Sequence, residues 1–88
     1  KRIKIIMFNI NYSNQARKFL KKADKILAKR ILEKIENLRE EPVIHDTKRI
    51  EGEKLFRVRV GKYRILYEVD YKENLIGVIK IDKRSRMY

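Results

Sequence analysis

The residues able to do chemistry in this sequence are cations, and they are spaced as a strand would space them. Arg57 and Arg59 stand two apart, Arg64 follows across a glycine-containing turn, and Lys80 and Arg84 come later, with Lys83 and Arg86 beside them. In an extended chain a period of two puts such side chains on one side. Arginine grips a phosphate through two parallel N–H donors and keeps its charge near neutral pH. The chemistry on offer is therefore binding of a phosphodiester backbone and stabilisation of charge developing on it. Tyr88, after Lys83-Arg84-Ser85-Arg86-Met87, adds an aromatic ring among cations that can stack on an exposed base.

Other chemistries lack their residues. His45 is the only histidine and lies outside the arginine-bearing segments, which excludes paired-histidine ribonuclease chemistry and argues against a metal site. There is no cysteine, so disulfides, thiolate zinc sites and cysteine nucleophiles are excluded. Asp46, Glu51 and Glu53 show no ligand spacing, and Gly52, Gly61 and Gly77 are isolated and form no phosphate loop. Neither metal nor cofactor is expected.

The 88 residues suffice for one modest core, so a single domain over 1–88 is expected. Lys and Arg number 24 against 12 Asp and Glu, a net charge of +12, which favours polyanionic partners through steering and counterion release. The competing reading of the charge is a thermophile-like ionic surface, but a twofold excess of base is not what balanced ion pairing needs. The apolar run Ile5-Ile6-Met7-Phe8 is too short for a signal core or a membrane span, and a cytoplasmic protein is expected.

The elements that must position the cations follow from the hydrophobic pattern. Lys1 to Ile10 reads as a first strand. Ser13 is placed to cap a helix whose inner face is Ala16, Phe19, Leu20 and Ala23, and Leu27, Ile31, Ile35 and Leu38 continue at helical spacing. One unbroken helix from Asn14 to Glu40 would run about 40 Å, too long for a domain with a radius of gyration near ~12 Å. A break is expected at Lys22 to Asp24, with Asp24 capping the second helix and the hairpin ending before Glu41-Pro42. After a loop from Pro42 to Thr47, Leu55–Val60, Tyr63–Tyr71 and Leu75–Asp82 alternate as strands of an antiparallel meander. The fold class is α+β, with the helices on one face of the sheet.

Gly61-Lys62 has the type II′ hairpin signature, which pairs Phe56 with Tyr67, Val58 with Ile65 and Val60 with Tyr63 on the core face. It also sets Arg59 opposite Arg64 and Arg57 opposite Leu66 on the other face, although directly opposed like charges disfavour folding by up to about 1 kcal/mol. A three-residue turn Lys72-Glu73-Asn74 would pair Tyr67 with Ile79, Ile65 with Ile81 and Tyr71 with Leu75 in the core, so that Tyr63, Tyr67 and Tyr71 are core residues. Lys80, Asp82 and Arg84 then join the arginine face. The bland alternative is a solvated outer face neutralised by Glu68, Asp70 and Asp82.

The run Leu55-Phe56-Arg57-Val58-Arg59-Val60-Gly61-Lys62-Tyr63-Arg64-Ile65-Leu66-Tyr67 closely resembles the RelE/ParE toxin pattern, a basic strand followed by Gly-x-Tyr-Arg-hydrophobic-x-Tyr. Lys48-Arg49-Ile50-Glu51-Gly52 looks like that family's segment before the strand, and Ile81-Asp82-Lys83-Arg84 through Tyr88 is similar to its basic C-terminal motif. The resemblance implies a RelE-like fold and the toxin of a type II toxin–antitoxin system. It implies a metal-free endoribonuclease acting on messenger RNA in the ribosomal A site, and an acidic, RelB-like antitoxin in a heterotetramer or larger assembly. By motif it gives functional basic roles to Arg57, Arg59, Arg64 and Arg84 and a base-stacking or proton-handling role to Tyr88. Together with the charged face and tail, the expected catalytic residues are Arg59, Arg64, Arg84 and Tyr88, and the expected RNA-binding residues Arg57, Arg59, Lys80, Lys83 and Arg86. The chain departs from the best-studied RelE pattern in having arginine at 57 and 59 in place of lysine, which leaves the general base open among Glu68, Lys80, Lys83 and Tyr88, or leaves the ribosome to provide alignment with no strong protein base. Two other readings share the scaffold: a ParE-like gyrase inhibitor, and a non-catalytic RNA-binding relative that pairs with its antitoxin.

Overall fold

In the computed structural model, residues 7–42, 48–50 and 55–83 are described, those at 48–50 by backbone alone. Ser13 does two jobs at the start of the fold. Its Oγ accepts from the Ala16 N–H at 3.1 Å, capping helix α1 (Asn14–Lys22), and donates to the Ile79 carbonyl at 2.6 Å. Asp24 caps α2 (Lys25–Leu38) by accepting from Leu27 N–H at 2.9 Å, so the helical hairpin breaks where expected and ends before Glu41-Pro42.

Five strands make one sheet: β1 (Asn9–Tyr12), β2 (Lys48–Ile50), β3 (Leu55–Val60), β4 (Tyr63–Asp70) and β5 (Leu75–Lys83), in the spatial order β1-β5-β4-β3-β2. The class is α+β as expected. The sheet is mixed, because β1 runs parallel to β5 while the other pairs are antiparallel. Helix residues Ala16, Ile31, Ile35 and Leu38 close the core over Phe56, Val58, Val60, Ile65, Tyr67, Val69, Ile76, Val78 and Ile81. Tyr67 is fully buried, and its hydroxyl donates to the Pro42 carbonyl at 2.5 Å. A buried carbonyl deprived of its donor costs about 1 to 2 kcal/mol. Tyr67→Phe is therefore expected to lower the urea unfolding free energy by that amount without changing its slope.

Three expectations need correction. Of the first strand expected at Lys1 to Ile10, residues 1–6 lie outside the described set; among the described residues it starts at Asn9, after Met7 and Phe8, and runs on to Tyr12. Phe8 is held by the end of the helical hairpin instead: its N–H donates to the Arg39 carbonyl, and Arg39 Nε donates to the Phe8 carbonyl, each at 2.9 Å. The short β2, paired with β3 from Lys48↔Arg57 to Ile50↔Leu55, was not foreseen, since three residues carry no readable alternation.

The third correction concerns the β4–β5 turn. It spans Tyr71–Asn74 rather than Lys72-Glu73-Asn74, because the Asp70 carboxylate accepts from both Lys72 and Glu73 N–H and starts the turn earlier. Asn74 takes the left-handed conformation at φ 53° as expected. The pairs are consequently Asp70↔Leu75 and Tyr67↔Val78, and neither Tyr67–Ile79 nor Tyr71–Leu75 forms. Tyr71 is 61% exposed, touching Phe8 edge-on, and Ile79 is 39% exposed. Ile79 is the extra residue of a bulge that restores Leu66↔Lys80, Ile65↔Ile81 and Arg64↔Asp82 as expected.

Candidate nucleic-acid interface

The β3–β4 hairpin sets the geometry of the cationic face. Of the two turn residues only Gly61 has positive φ, at 59°, as a type II′ turn requires. Every pair from Phe56↔Tyr67 to Val60↔Tyr63 has the register read from the sequence, with Arg59↔Arg64 and Arg57↔Leu66 on the face away from the helices.

Two rows of residues cross this face. One runs Arg59, Arg64, Asp82 over β3, β4 and β5. The next runs Lys48, Arg57, Leu66, Lys80 in backbone register over β2 to β5. Arg59 and Lys80 are exposed and Arg57 partly so, whereas Arg64 retains 6% exposure and is the one buried charged residue among those described. The Arg59–Arg64 opposition that a fold alone does not ask for is offset by Asp82 on the far side of Arg64. Asp82 Oδ2 lies 3.5 Å from Lys80 Nζ.

The candidate bases separate by position. Glu68 lies over Gly77, where a Cβ would come within 3.4 Å of its Cγ, and it stands four residues, roughly 13 Å at strand rise, from Arg64. That distance removes it from a phosphate held at Arg64. Lys83 is exposed at the end of β5, opposite Tyr63. Lys80 stays beside the arginines. Arg84, Arg86 and Tyr88 lie outside the described residues, as do His45, Asp46, Glu51 and Glu53. No group of three or more potential metal ligands occurs among the described residues.

Gln15 escaped the sequence reading. From the first turn of α1 its Oε1 accepts from Ile81 N–H and its Nε2 donates to the Ile81 carbonyl, both at 2.9 Å. β1 stops opposite Val78, so Gln15 stands in for a neighbouring strand exactly one residue before Asp82. No spacing rule marks a glutamine for that role. Elsewhere, a groove of about 530 Å³ is lined by Tyr12, Leu20 and Leu32 with Arg17, Lys18 and Lys21 at its rim. Burial, and then Glu36, push the Tyr12 phenol above the usual tyrosine value against the pull of Arg39.

A helical hairpin on one face of a mixed sheet, with an arginine-rich opposite face, defines the class: a small basic α+β protein. The model of the ParE toxin of type II toxin–antitoxin systems matches residues 10–88, and the chain belongs to that family, within the RelE/ParE toxins. It is 33% identical over 85 residues to the RelE1 protein of Methanocaldococcus jannaschii, covering 92% of this chain and 94% of that one. The RelE–RelB complex from Pyrococcus horikoshii superposes with a TM-score of 0.82 at 31% identity, over 91% of this chain and 98% of that chain. The RelBE2 toxin–antitoxin complex from Mycobacterium tuberculosis superposes at 0.74 and 26% identity, over 90% and 100%. No described helix is long and apolar enough to cross a membrane.

Proposed function

We propose that this toxin is an endoribonuclease that cuts messenger RNA in the ribosomal A site. The observation carrying the reading is Arg64, buried on the cationic face between Arg59 and Asp82. A buried guanidinium is held in place before substrate arrives, which is what stabilising a developing phosphate charge requires. In the reaction the 2′-hydroxyl loses its proton and attacks the adjacent phosphorus. The bond to the 5′-oxygen breaks, and that oxygen takes up a proton, leaving a 2′,3′-cyclic phosphate and a 5′-hydroxyl. Arg64 and Arg84 hold the scissile phosphate, and Arg59 supports its charge. Arg57, Lys80, Lys83 and Arg86 guide the backbone, and Tyr88 stacks on a base or handles a proton. No metal or cofactor enters this scheme.

The RelE–RelB and RelBE2 complexes of its relatives support a RelB-like antitoxin as the partner that restrains it; the net charge of +12 calls for an acidic one, in a heterotetramer or larger assembly. An acidic amphipathic helix suits the groove of Tyr12, Leu20 and Leu32 with its basic rim. Action on ribosomes implies a cytoplasmic location. The match to the ParE toxin model keeps a second reading, a ParE-like toxin that inhibits gyrase instead of cutting RNA. Inducing the chain and mapping transcript 5′ ends on ribosome-bound messages separates the two. Codon-phased cuts that vanish with Arg64→Ala support the nuclease; intact messages with arrested supercoiling favour gyrase, and intact messages with normal supercoiling favour a non-catalytic binder.

A further inference from the structure

Asp82 is out of place on a surface built for anions. It is the cross-strand partner of Arg64, which sets the two Cβ atoms roughly 5 Å apart. Its side chain is 16% exposed, its Oδ2 reaches Lys80 Nζ at 3.5 Å, and its buried Oδ1 has no hydrogen-bond partner. One carboxylate thus stands within reach of two of the cations proposed to meet RNA. Gln15 fixes the backbone one residue earlier, so the carboxylate is carried on an anchored segment.

Such a group has two electrostatic effects of opposite consequence. It relieves the mutual repulsion of Arg59, Arg64 and Lys80 and so lets their side chains hold one arrangement. It also repels the phosphates those side chains attract. A surface selected for affinity alone would have no use for it.

We propose that Asp82 is a positioning residue: it aims Arg64 and Lys80 at the scissile phosphate and, as a built-in anion, weakens the binding of the RNA whose cleavage it assists. The inference rests on the nuclease reading. It assigns Asp82 no proton transfer, since Oδ1 is buried and Oδ2 is turned to Lys80.

The test compares Asp82→Asn and Asp82→Glu in the full chain, by affinity for a short single-stranded RNA with uncuttable 2′-methoxy groups and by single-turnover cleavage on programmed ribosomes. Asp82→Asn is expected to bind the RNA about fivefold more tightly at low salt, a gain that shrinks as salt rises. It is expected to cleave about tenfold more slowly or worse, because misaimed groups forfeit catalysis. Asp82→Glu keeps the charge and moves it, so affinity should stay near wild type while cleavage slows; this variant carries the test if the asparagine variant does not fold. Weaker RNA binding, or cleavage at the wild-type rate, overturns the positioning role. A pH–rate profile whose acidic limb disappears in Asp82→Asn also overturns it, making Asp82 the base. Messages left intact by the wild-type chain itself overturn the nuclease reading and the positioning role together, whereas messages cut equally by wild type and both variants overturn the positioning role alone.

Discussion

Arg64→Ala is expected to slow message cleavage by about 10²- to 10³-fold, the loss typical of removing a preorganised charge-stabilising donor. The size follows from where Arg64 sits. At 6% exposure Arg64 is already withdrawn from solvent before substrate arrives. Arg59, exposed on β3, must be ordered when substrate binds, so Arg59→Ala should cost less. Arg64→Ala also removes a buried charge opposite Asp82, and a change in a buried charged site can destabilise a fold by several kcal/mol. Arg64→Lys guards against misreading that loss. It keeps a charge in the row but gives up the two-point fork, and a cleavage rate about tenfold below wild type with an intact unfolding transition is the expected result. A lysine variant as fast as wild type would mean that a point charge suffices and that guanidinium geometry is irrelevant.

A large effect on stability, with none on the cationic face itself, is expected from Gln15→Ala. The Ile81 N–H and carbonyl would both lose the partner they have, among the described residues, on that side of β5, where β1 no longer reaches. Each stranded backbone group, being partly buried, costs about 1 to 2 kcal/mol, so a loss of about 2 to 4 kcal/mol is expected, a large part of the 5 to 15 kcal/mol typical of small domains. Urea unfolding measures it. Hydrogen exchange at the Ile81 amide localises it, since exchange there should quicken well before exchange at Ile65 or Val58 in the sheet centre. Gln15→Glu retains the acceptor for Ile81 N–H but sets a carboxylate against the Ile81 carbonyl. It should therefore recover little of the lost stability.

What the sequence makes legible here is local and periodic. Gly61 announces a turn with one left-handed residue, and that residue sets the register of Arg59 and Arg64. Ser13 and Asp24 announce two helix starts through side chains that reach three residues ahead. The site's two rows are legible for the same reason, because strand parity plus a hairpin decides which cations share a face. What stays hidden depends on partners distant in the chain. β1 is placed by pairing with β5, 66 residues away in the Ser13–Ile79 and Gln15–Ile81 contacts, and no local pattern encodes that choice. The early turn depends on Asp70 taking two N–H groups, and Tyr71, though apolar by parity, is carried out into solvent by it.

The bulge at Ile79 bears on what changes of length β5 can accept. Along β4 the residue is surplus: without it, Tyr67↔Val78 would be followed by Leu66↔Lys80, Ile65↔Ile81 and Arg64↔Asp82 in unbroken succession. Along α1 it is a spacer, since Ser13 holds the Val78 carbonyl and Gln15 holds Ile81, and those two anchors need three steps of strand between them. Deleting Ile79 should thus leave the β4 ladder whole and unhook the helix, a loss visible as fast exchange at the Ile81 amide with Ile65 still protected. Relatives that differ in length by one residue at this point would be expected to differ in how the first helix is tied down, while keeping the same cations on the same face.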